Sequence, residues 1–241
     1  MLRDAGELAE AVRRAQRGEV GEISVGFIHT AGYGLVPAVI RRFRDANPSV
    51  EVSLEQQGSL AQARELERGR IDVGFTWSAA VIDGQESECL LRERFVVALP
   101  NSHPSSRQKY LSLAVFADEP FVSFPAQRAP FLHGAVFRIC AAAGFIPRIR
   151  HETDSVHTVL GLVAAGCGIG IVPTSAVEIS TRDVSFCAPE EQEPQAEINL
   201  QWRSGDTSPV VERFVAEARQ AALLYQRSRQ LRIAKQPRRL A

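Results

Sequence analysis

The chain has 241 residues, of which 45% are hydrophobic and 23% are charged. This length and composition suit a folded protein with one large or two small domains and exclude a disordered chain. Because 28 basic residues balance 28 acidic ones, the chain lacks the positive field that direct DNA binding usually needs.

The sequence has no run of about 18 apolar residues, which argues against a membrane-spanning helix. Its first residues lack the apolar core of a secretory signal, so we expect a cytoplasmic protein. The cysteines form no C-x-x-C pair and are expected to be buried free thiols; they are Cys89, Cys140, Cys167 and Cys187. The histidines show no metal-ligand spacing, so neither a metal nor a cofactor is predicted.

The first part of the chain alternates between helical and strand periodicity. The predicted elements are a helix over residues 2–17, a strand from Glu22 to Phe27, a helix from Leu35 that Asn47-Pro48 ends, a strand from Val50 to Leu54, a helix from Ser59 to Arg68 and a strand from Ile71 to Phe75. Ser59 is a candidate N-cap of its helix. This order is typical of a parallel βαβαβ sheet.

After a strand from Phe95 to Leu99, the pattern repeats. The later elements are a strand from Phe121 to Phe124, a helix near Gly134 to Ala143, a strand from Arg148 to Thr153, a capped helix from Ser155 to Ala165, strands at 168–172, 184–186 and 198–202, and a helix opened by Ser208-Pro209. The basic tail after Tyr225 is expected to be solvated and partly disordered, in preference to contacting nucleic acid. Two similar halves predict an α/β fold with two Rossmann-like subdomains and a central cleft.

Small polar residues follow several of the predicted strands. His29 and Thr30 follow the first strand, Gly58 and Ser59 the second, and Ser155 precedes a helix of the second half. In open α/β sheets, ligands bind at these strand ends, where helix N-termini offer unpaired N–H groups. The pattern predicts a carboxylate site. For Thr30 and Ser59 taken alone, helix capping or a hydrogen bond to a local carbonyl is the commoner interpretation. His29 suits ligand donation and a purely structural role equally.

Three segments carry a resemblance to a known family: GFIHTAGYGLVP (26–37), LERGRIDVGF (66–75) and LGLVAAGCGIGIVP (160–173). Over roughly residues 10–225 the chain resembles the effector-binding domain of LysR-type transcriptional regulators, and the benzoate- and muconate-responsive branch in particular. The resemblance implies a fold like the type 2 periplasmic binding proteins, with no enzymatic activity.

The resemblance also implies roles for particular residues. In that branch, hydroxyl residues matching Thr30 and Ser59 contact the carboxylate of the effector. Gly58 and Ser155 belong to the same predicted site, with His29 beside Thr30. The expected walls are Trp77, Pro125, Arg128 and Phe131, whose aromatic members favour a flat or unsaturated ligand. The chain departs from the branch at His29, where glycine is usual, and at Trp77, where arginine can occur, so muconate itself is in doubt.

The resemblance divides the chain into four parts. Residues 1–20 resemble the end of a linker helix, 21–98 with 196–225 the first effector-binding subdomain, 99–195 the second, and 226–241 a basic tail. The implied partners are a small carboxylate, further copies of the chain as a dimer or tetramer, and DNA only through an N-terminal winged helix-turn-helix that the sequence lacks; no membrane is expected.

Other function classes stay open at this point. Periplasmic solute-binding proteins share the predicted fold, although a linker-like first helix speaks against them. A dehydratase-like enzyme would need acid and base groups in the cleft, for which Glu55, Asp154 and His29 are the candidates. Gly32-Tyr33-Gly34 resembles a dinucleotide fingerprint, but Pro37 occupies the place of its third glycine.

Overall fold

The computed structural model describes residues 10, 13–77, 83–179, 182–190 and 195–235, with the backbone alone for residues 230–235. The chain forms two compact units. The first unit comprises Met1–Leu91 and Ile198–Arg227, and the second comprises Arg92–Glu197 and Ser228–Ala241. The subdomain boundaries predicted at residues 98 and 196 remain predictions.

The labelled elements are strands and helices, as the sequence predicts for an α/β protein. The strands are β1 (Gly21–Phe27), β2 (Val50–Gln56), β3 (Val73–Trp77), β4 (Gln85–Glu93), β5 (Phe95–Pro100), β6 (Tyr110–Leu111), β7 (Pro120–Ser123), β8 (Arg148–Glu152), β9 (Gly170–Pro173), β10 (Val184–Pro189) and β11 (Ala196–Arg203). The helices are α1 (Leu35–Ala46), α2 (Ser59–Glu67), α3 (Pro130–Ala142), α4 (Val156–Ala164) and α5 (Pro209–Lys235).

The first unit is built on a five-stranded sheet in the order β2-β1-β3-β11-β4. β1 lies parallel to both β2 and β3, and β3 pairs antiparallel with β11. The predicted βαβαβ arrangement is confirmed, because α1 and α2 connect the three parallel strands.

Alternation along the strands gives the sheet of the first unit two packed faces. On one face, the Phe214 ring of α5 lies 6.3 Å from the ring of Phe75 in β3 and 5.0 Å from the ring of Phe43 in α1. On the other face, α2 packs so closely that a Cβ at Gly74 would lie 2.7 Å from Gln62 Oε1. The strand ends are therefore held between helices on both sides.

The second unit has a four-stranded sheet in the order β6-β10-β5-β9 and a parallel pair of strands, β7 and β8. The buried face of α4 is formed by Val156, Val159, Leu160 and Val163, and this helix packs on β5, β7 and β9. The structure thus confirms an α/β protein with two sheet-containing units.

Several predicted element boundaries are wrong by a few residues. α3 begins at Pro130 rather than near Gly134, since a proline suits the first turn of a helix. β9 begins at Gly170 rather than Gly168, because Gly168 has φ +147° and a Cβ there would collide with the carbonyl oxygen of Pro120. Ser59 is not an N-cap: Gly58 holds the cap position and Ser59 is the first residue of α2.

The final helix corrects the prediction of a partly disordered basic tail as far as residue 235. α5 continues to Lys235, well past residue 226, and buries Arg229 against two carboxylates. Basic composition alone did not reveal these partners, which lie far away in the sequence. Residues 236–241 lie outside the described part of the chain, and so do most of residues 1–12. In the described part of the first helix, predicted over residues 2–17, residues 13–16 are helical.

Two further expectations concern membranes and cysteines. Within the described ranges, no helix combines the length and apolar character required to cross a bilayer. Cys140 and Cys187 are buried and form no disulfide, as predicted, whereas Cys89 and Cys167 are only half-buried.

Candidate functional site

The carboxyl ends of β1, β2 and β3 meet at one edge of the first unit's sheet. In the strand register, Phe27 of β1 pairs with Gln56 of β2 and with Phe75 of β3. Just beyond the strands, the Gln57 amide donates to the carbonyl oxygen of Phe27 at 3.0 Å, and the Ile28 amide donates to that of Phe75 at 3.0 Å. The segments that follow β1 and β2 are thereby fixed beside the last residues of β3.

Ser59 and Trp77 are joined at this edge by a hydrogen bond. The backbone N–H of Trp77 donates to Ser59 Oγ at 3.0 Å. Because a hydroxyl carries one proton and accepts through its lone pairs, this bond leaves the Ser59 proton available to a further oxygen. The arrangement makes Ser59 a donor aimed by the backbone of β3 rather than a helix cap.

Thr30 lies in the short 3-10 turn His29–Tyr33 that follows β1. Its side chain is 4% exposed, and Oγ1 has no hydrogen-bond partner among the described residues. Leaving a buried hydroxyl unpaired costs about 1–3 kcal/mol, so such a group calls for a ligand or an ordered water. Beside it, the His29 ring lies 5.2 Å from the ring of Tyr33 at an interplanar angle of 48°.

The N-terminus of α2 adds backbone donors to the same edge. The first amide of this turn to be paired within the helix is that of Gln62, which donates to the carbonyl oxygen of Gly58 at 3.0 Å. The amides before it belong to the part of a helix where N–H groups lack intrahelical acceptors and carry partial positive charge. Gly58 is exposed, with nothing within 4 Å of the position that a Cβ would occupy. Trp77 is 7% exposed at the end of β3.

The predicted site residues of the second unit form a separate group. Arg128 Nε lies 3.0 Å from Asp154 Oδ2, with both side chains more than half exposed. Ser155 Oγ accepts the Thr158 amide at 3.4 Å and so caps α4. Pro125 is buried, its carbonyl oxygen accepting the Ala129 amide at 2.9 Å, and Phe131 is half-buried near the start of α3.

The structure therefore brings the predicted residues together in two groups. His29, Thr30, Gly58, Ser59 and Trp77 share one sheet edge in the first unit. In the second unit, Asp154 is paired with Arg128 and directly precedes Ser155 in sequence. That both groups contact one ligand remains a prediction from the sequence.

Three groups that could take part in acid–base or nucleophilic chemistry, Glu55, Asp154 and Cys187, do not form a catalytic arrangement. Glu55 is exposed and accepts a hydrogen bond from Gln57 Nε2 at 2.7 Å, and Asp154 is paired with Arg128. Burial raises the pKa of the Cys187 thiol to about 12, so this thiol stays protonated at neutral pH and is a poor nucleophile. These contacts do not form an acid–base pair.

One residue of the site escaped sequence reasoning. Gln62 is completely buried on α2 and hydrogen-bonds both to the segment before Ser59 and to β3. Its position carried a signal, because Gln62, Ala63 and Leu66 follow the spacing of an inward helix face, where a glutamine is unusual.

Comparisons with known proteins agree on one family. Residues 16–223 match the family described as the LysR substrate binding domain. The chain is 30% identical over 214 residues to the HTH-type transcriptional regulator AlsR of Bacillus subtilis, covering 89% of this chain and 71% of AlsR. It is 35% identical over 167 residues to the HTH-type transcriptional regulator BenM of Acinetobacter baylyi, covering 68% of this chain and 55% of BenM.

Solved structures give the same answer. The crystal structure of CbnR, a LysR family transcriptional regulator, matches with a TM-score of 0.79 at 29% identity, covering 90% of this chain and 75% of CbnR. The BenM effector binding domain with its effector benzoate matches with a TM-score of 0.76 at 28% identity, covering 85% of this chain and 93% of the BenM domain. These relatives are named transcriptional regulators rather than enzymes. The chain therefore belongs to the LysR substrate binding domain family and is the effector-binding domain of a LysR-type transcriptional regulator.

Proposed function

We propose that this domain binds a small aromatic or unsaturated carboxylate and thereby controls transcription through a DNA-binding domain of the same regulator, in the cytoplasm. The proposal rests on the hydrogen bond from the Trp77 amide to Ser59 Oγ and on the buried hydroxyl of Thr30 after the neighbouring strand, which has no hydrogen-bond partner among the described residues. Both hydroxyls are donors at the open ends of parallel strands, where ligands of α/β proteins bind.

The chemistry of this sheet edge favours an anion. The hydroxyl protons of Thr30 and Ser59 and the first amides of α2 are all donors. A hydrogen bond to a charged oxygen contributes about 1.5–3 kcal/mol, and a helix N-terminus adds a favourable field for negative charge. A carboxylate, with two acceptor oxygens, suits this donor set.

The aromatic or unsaturated character of the ligand rests on two kinds of support. Trp77 ends β3 next to the donor group, and a largely buried indole provides a flat apolar surface. Among the relatives, the BenM domain was solved with its effector benzoate. In the second unit, the proposal assigns Pro125, Arg128, Phe131 and Ser155 to the effector, and His29 and Gly58 to the first unit's part of the site.

Thermal melting against benzoate, cis,cis-muconate and related acids tests the proposal. A ligand at about 100 times its dissociation constant adds about 2.7 kcal/mol to the free energy of unfolding. Thr30→Val should abolish the rise in melting temperature that the stabilising acid causes in the wild-type protein. The unliganded melting temperature should stay the same or rise, because the substitution removes a buried hydroxyl without a partner among the described residues.

Thr158→Val is the matched control, since the same change there affects an exposed residue of α4. It should keep the full ligand-induced shift. A Thr30→Val protein that also keeps the full shift would show that the site lies elsewhere, and a wild-type protein stabilised by amides or sugars instead of acids would refute the carboxylate.

We also propose that copies of this domain associate through a groove on the first unit. The groove has a volume of about 620 Å³ and is lined by apolar and charged residues, namely Phe27, Gly32, Val36, Pro37, Ile40, Arg41, Arg44, Asp45 and Leu54. The charged residues of the lining include both signs, so that two copies related by a twofold axis can pair Arg with Asp. Exposed apolar surface of this kind marks interaction sites.

Sedimentation equilibrium tests this surface. Leu54→Glu places a charge on an exposed leucine of the groove and should weaken self-association at least tenfold. Leu60→Glu changes a similarly exposed leucine outside the groove lining and should leave association unchanged. Equal dissociation constants for the two variants would remove the groove from the interface.

A further inference from the structure

Gln62 is a fully buried glutamine at the base of the candidate site. It lies one turn after Ser59 on α2, with a side chain that is 0% exposed. Burying a primary amide is unfavourable unless its polar atoms are hydrogen-bonded, so this residue needs a compensating role in the structure.

The amide nitrogen of Gln62 connects the two segments that hold the Ser59–Trp77 hydrogen bond. Nε2 donates to the carbonyl oxygen of Gln57 at 2.8 Å and to that of Phe75 at 3.1 Å. Carbonyl oxygens only accept, so both contacts require the nitrogen and fix the orientation of the amide. Gln57 lies two residues before Ser59, and Phe75 lies two residues before Trp77.

Glycines in two neighbouring strands make room for this side chain. A Cβ at Gly74 of β3 would lie 2.7 Å from Gln62 Oε1, and a Cβ at Gly26 of β1 would lie 3.0 Å from the same atom. Either Cβ is too close to be accommodated without movement of the glutamine or the strand. The sheet is therefore shaped around the glutamine, which holds its amide at a single place.

We propose that Gln62 is a positioning residue that holds Ser59 Oγ on the Trp77 amide, and so directs the Ser59 proton toward the effector. By tying the segment before α2 to β3, Gln62 fixes the distance across which the Ser59–Trp77 bond forms. The role in effector binding rests on the function proposed above, whereas the role in holding Ser59 against Trp77 concerns the fold alone.

Amide hydrogen exchange tests the positioning role without any ligand. In Gln62→Met, which keeps the length of the side chain but loses its donors, the Trp77 amide should exchange about tenfold faster relative to amides of β1 and β11. A purely structural role would accelerate all these amides together. The measured quantity, called the Trp77 ratio, is the exchange rate of the Trp77 amide divided by the exchange rate of the amides of β1 and β11. If Gln62→Met fails to fold, the same ratio can be measured in Gln62→Asn, which keeps the amide but is too short to reach both carbonyl oxygens.

Gln85→Met is the matched control. Gln85 is also buried and its Nε2 donates at 2.8 Å to a carbonyl oxygen of α2, that of Ala63, which lies four residues after Ser59 and outside the segment before it. This variant should leave the Trp77 ratio unchanged. In a Ser59→Ala background the effect of Gln62→Met on that ratio should disappear, because Gln62 then has no hydroxyl to position.

Titration with benzoate separates the two proposals. If benzoate stabilises the wild-type protein, its dissociation constant should rise about tenfold in Gln62→Met and stay constant in Gln85→Met. A wild-type protein that binds no carboxylate, with the Trp77 ratio still raised, would refute the proposed ligand and retain the positioning role. A Trp77 ratio that is equal in wild type and Gln62→Met would overturn the positioning role.

Discussion

Ser59 in the first unit and Ser155 in the second both lie where the chain passes from a strand to a helix, but their hydroxyls accept hydrogen bonds from different elements. Each follows a parallel strand and stands at the start of a helix. Ser155 Oγ accepts an amide of its own helix, whereas Ser59 Oγ accepts the amide of Trp77 from a neighbouring strand. The hydroxyl of Ser155 stabilises local structure, while that of Ser59 is oriented by a different element and keeps a proton available at the sheet edge.

The same contrast extends to the groups around the two serines. In the first unit, the Thr30 hydroxyl is buried with no partner among the described residues. In the second unit, the charged side chain of Arg128 already has a partner in Asp154 and remains exposed. Unsatisfied donors in a buried place have more to gain from a ligand than donors that are paired or hydrated. The comparison predicts that most of the affinity for an anion comes from the first unit.

The second unit buries its polar groups for a structural purpose instead. The Glu93 side chain is 0% exposed, with Oε1 3.5 Å from Arg229 Nη1 and Oε2 accepting the Ser175 amide at 2.9 Å. Arg229 Nε also lies 3.2 Å from Glu178 Oε1. Burial raises the pKa of the Glu93 carboxyl, although the Arg229 charge and the Ser175 hydrogen bonds oppose this shift. Glu93 and Arg229 are ion-paired inside the second unit, although Glu93 Oε1 and Arg229 Nη2 have no hydrogen-bond partner among the described residues. A buried carboxylate and a buried cation that pair with each other indicate a structural role.

The largest effect is expected from removing Arg229. Arg229→Met leaves the buried Glu93 carboxylate without its nearest cation and should lower the free energy of unfolding by about 3–5 kcal/mol at pH 8. The loss should shrink as the pH falls, because a carboxyl group with a raised folded pKa takes up its proton more readily in the folded protein, which favours folding below that pKa. Urea unfolding at pH 5 and pH 8 measures both effects.

Arg219→Met provides the control on the same helix. Arg219 pairs with Glu88 at 2.7 Å, but both side chains are substantially exposed, so its loss should change the free energy of unfolding by less than about 1 kcal/mol. If Arg229→Met instead lowers the affinity for the effector while stability is preserved, the division between a structural second-unit cluster and a binding first-unit edge is wrong.

The sequence predicted the fold well, because strands and helices follow from periodicity. Alternating Ile23, Val25 and Phe27 and the apolar stripe of α1 determine where strands and helices occur. The rule that ligands bind at strand ends, together with the family resemblance, points to Thr30 and Ser59, whereas the local pattern alone favours helix capping; the site remains a prediction.

The local sequence pattern could not predict contacts between residues that lie far apart in the sequence. Ser59 and Ser155 have the same local signature of a capping hydroxyl, and only the Trp77 amide, 18 residues from Ser59, distinguishes them. Arg229 looked like one cation of a solvated tail, since its carboxylate partners at Glu93 and Glu178 lie far back along the chain. Contacts that span such separations decide roles that composition leaves open.

A direct test of the comparison exchanges the two serines for alanine. Ser155→Ala removes a helix cap and should lower the free energy of unfolding by about 1 kcal/mol while leaving effector affinity within twofold. Ser59→Ala loses one hydrogen bond to Trp77, about 0.5–1.5 kcal/mol of stability, and should weaken binding of the acid identified by melting about tenfold or more. Urea unfolding and calorimetric titration of both variants give the four values. Equal losses of affinity would show that the second unit contributes as much to binding as the first, because Ser155 would then contact the ligand in addition to capping α4.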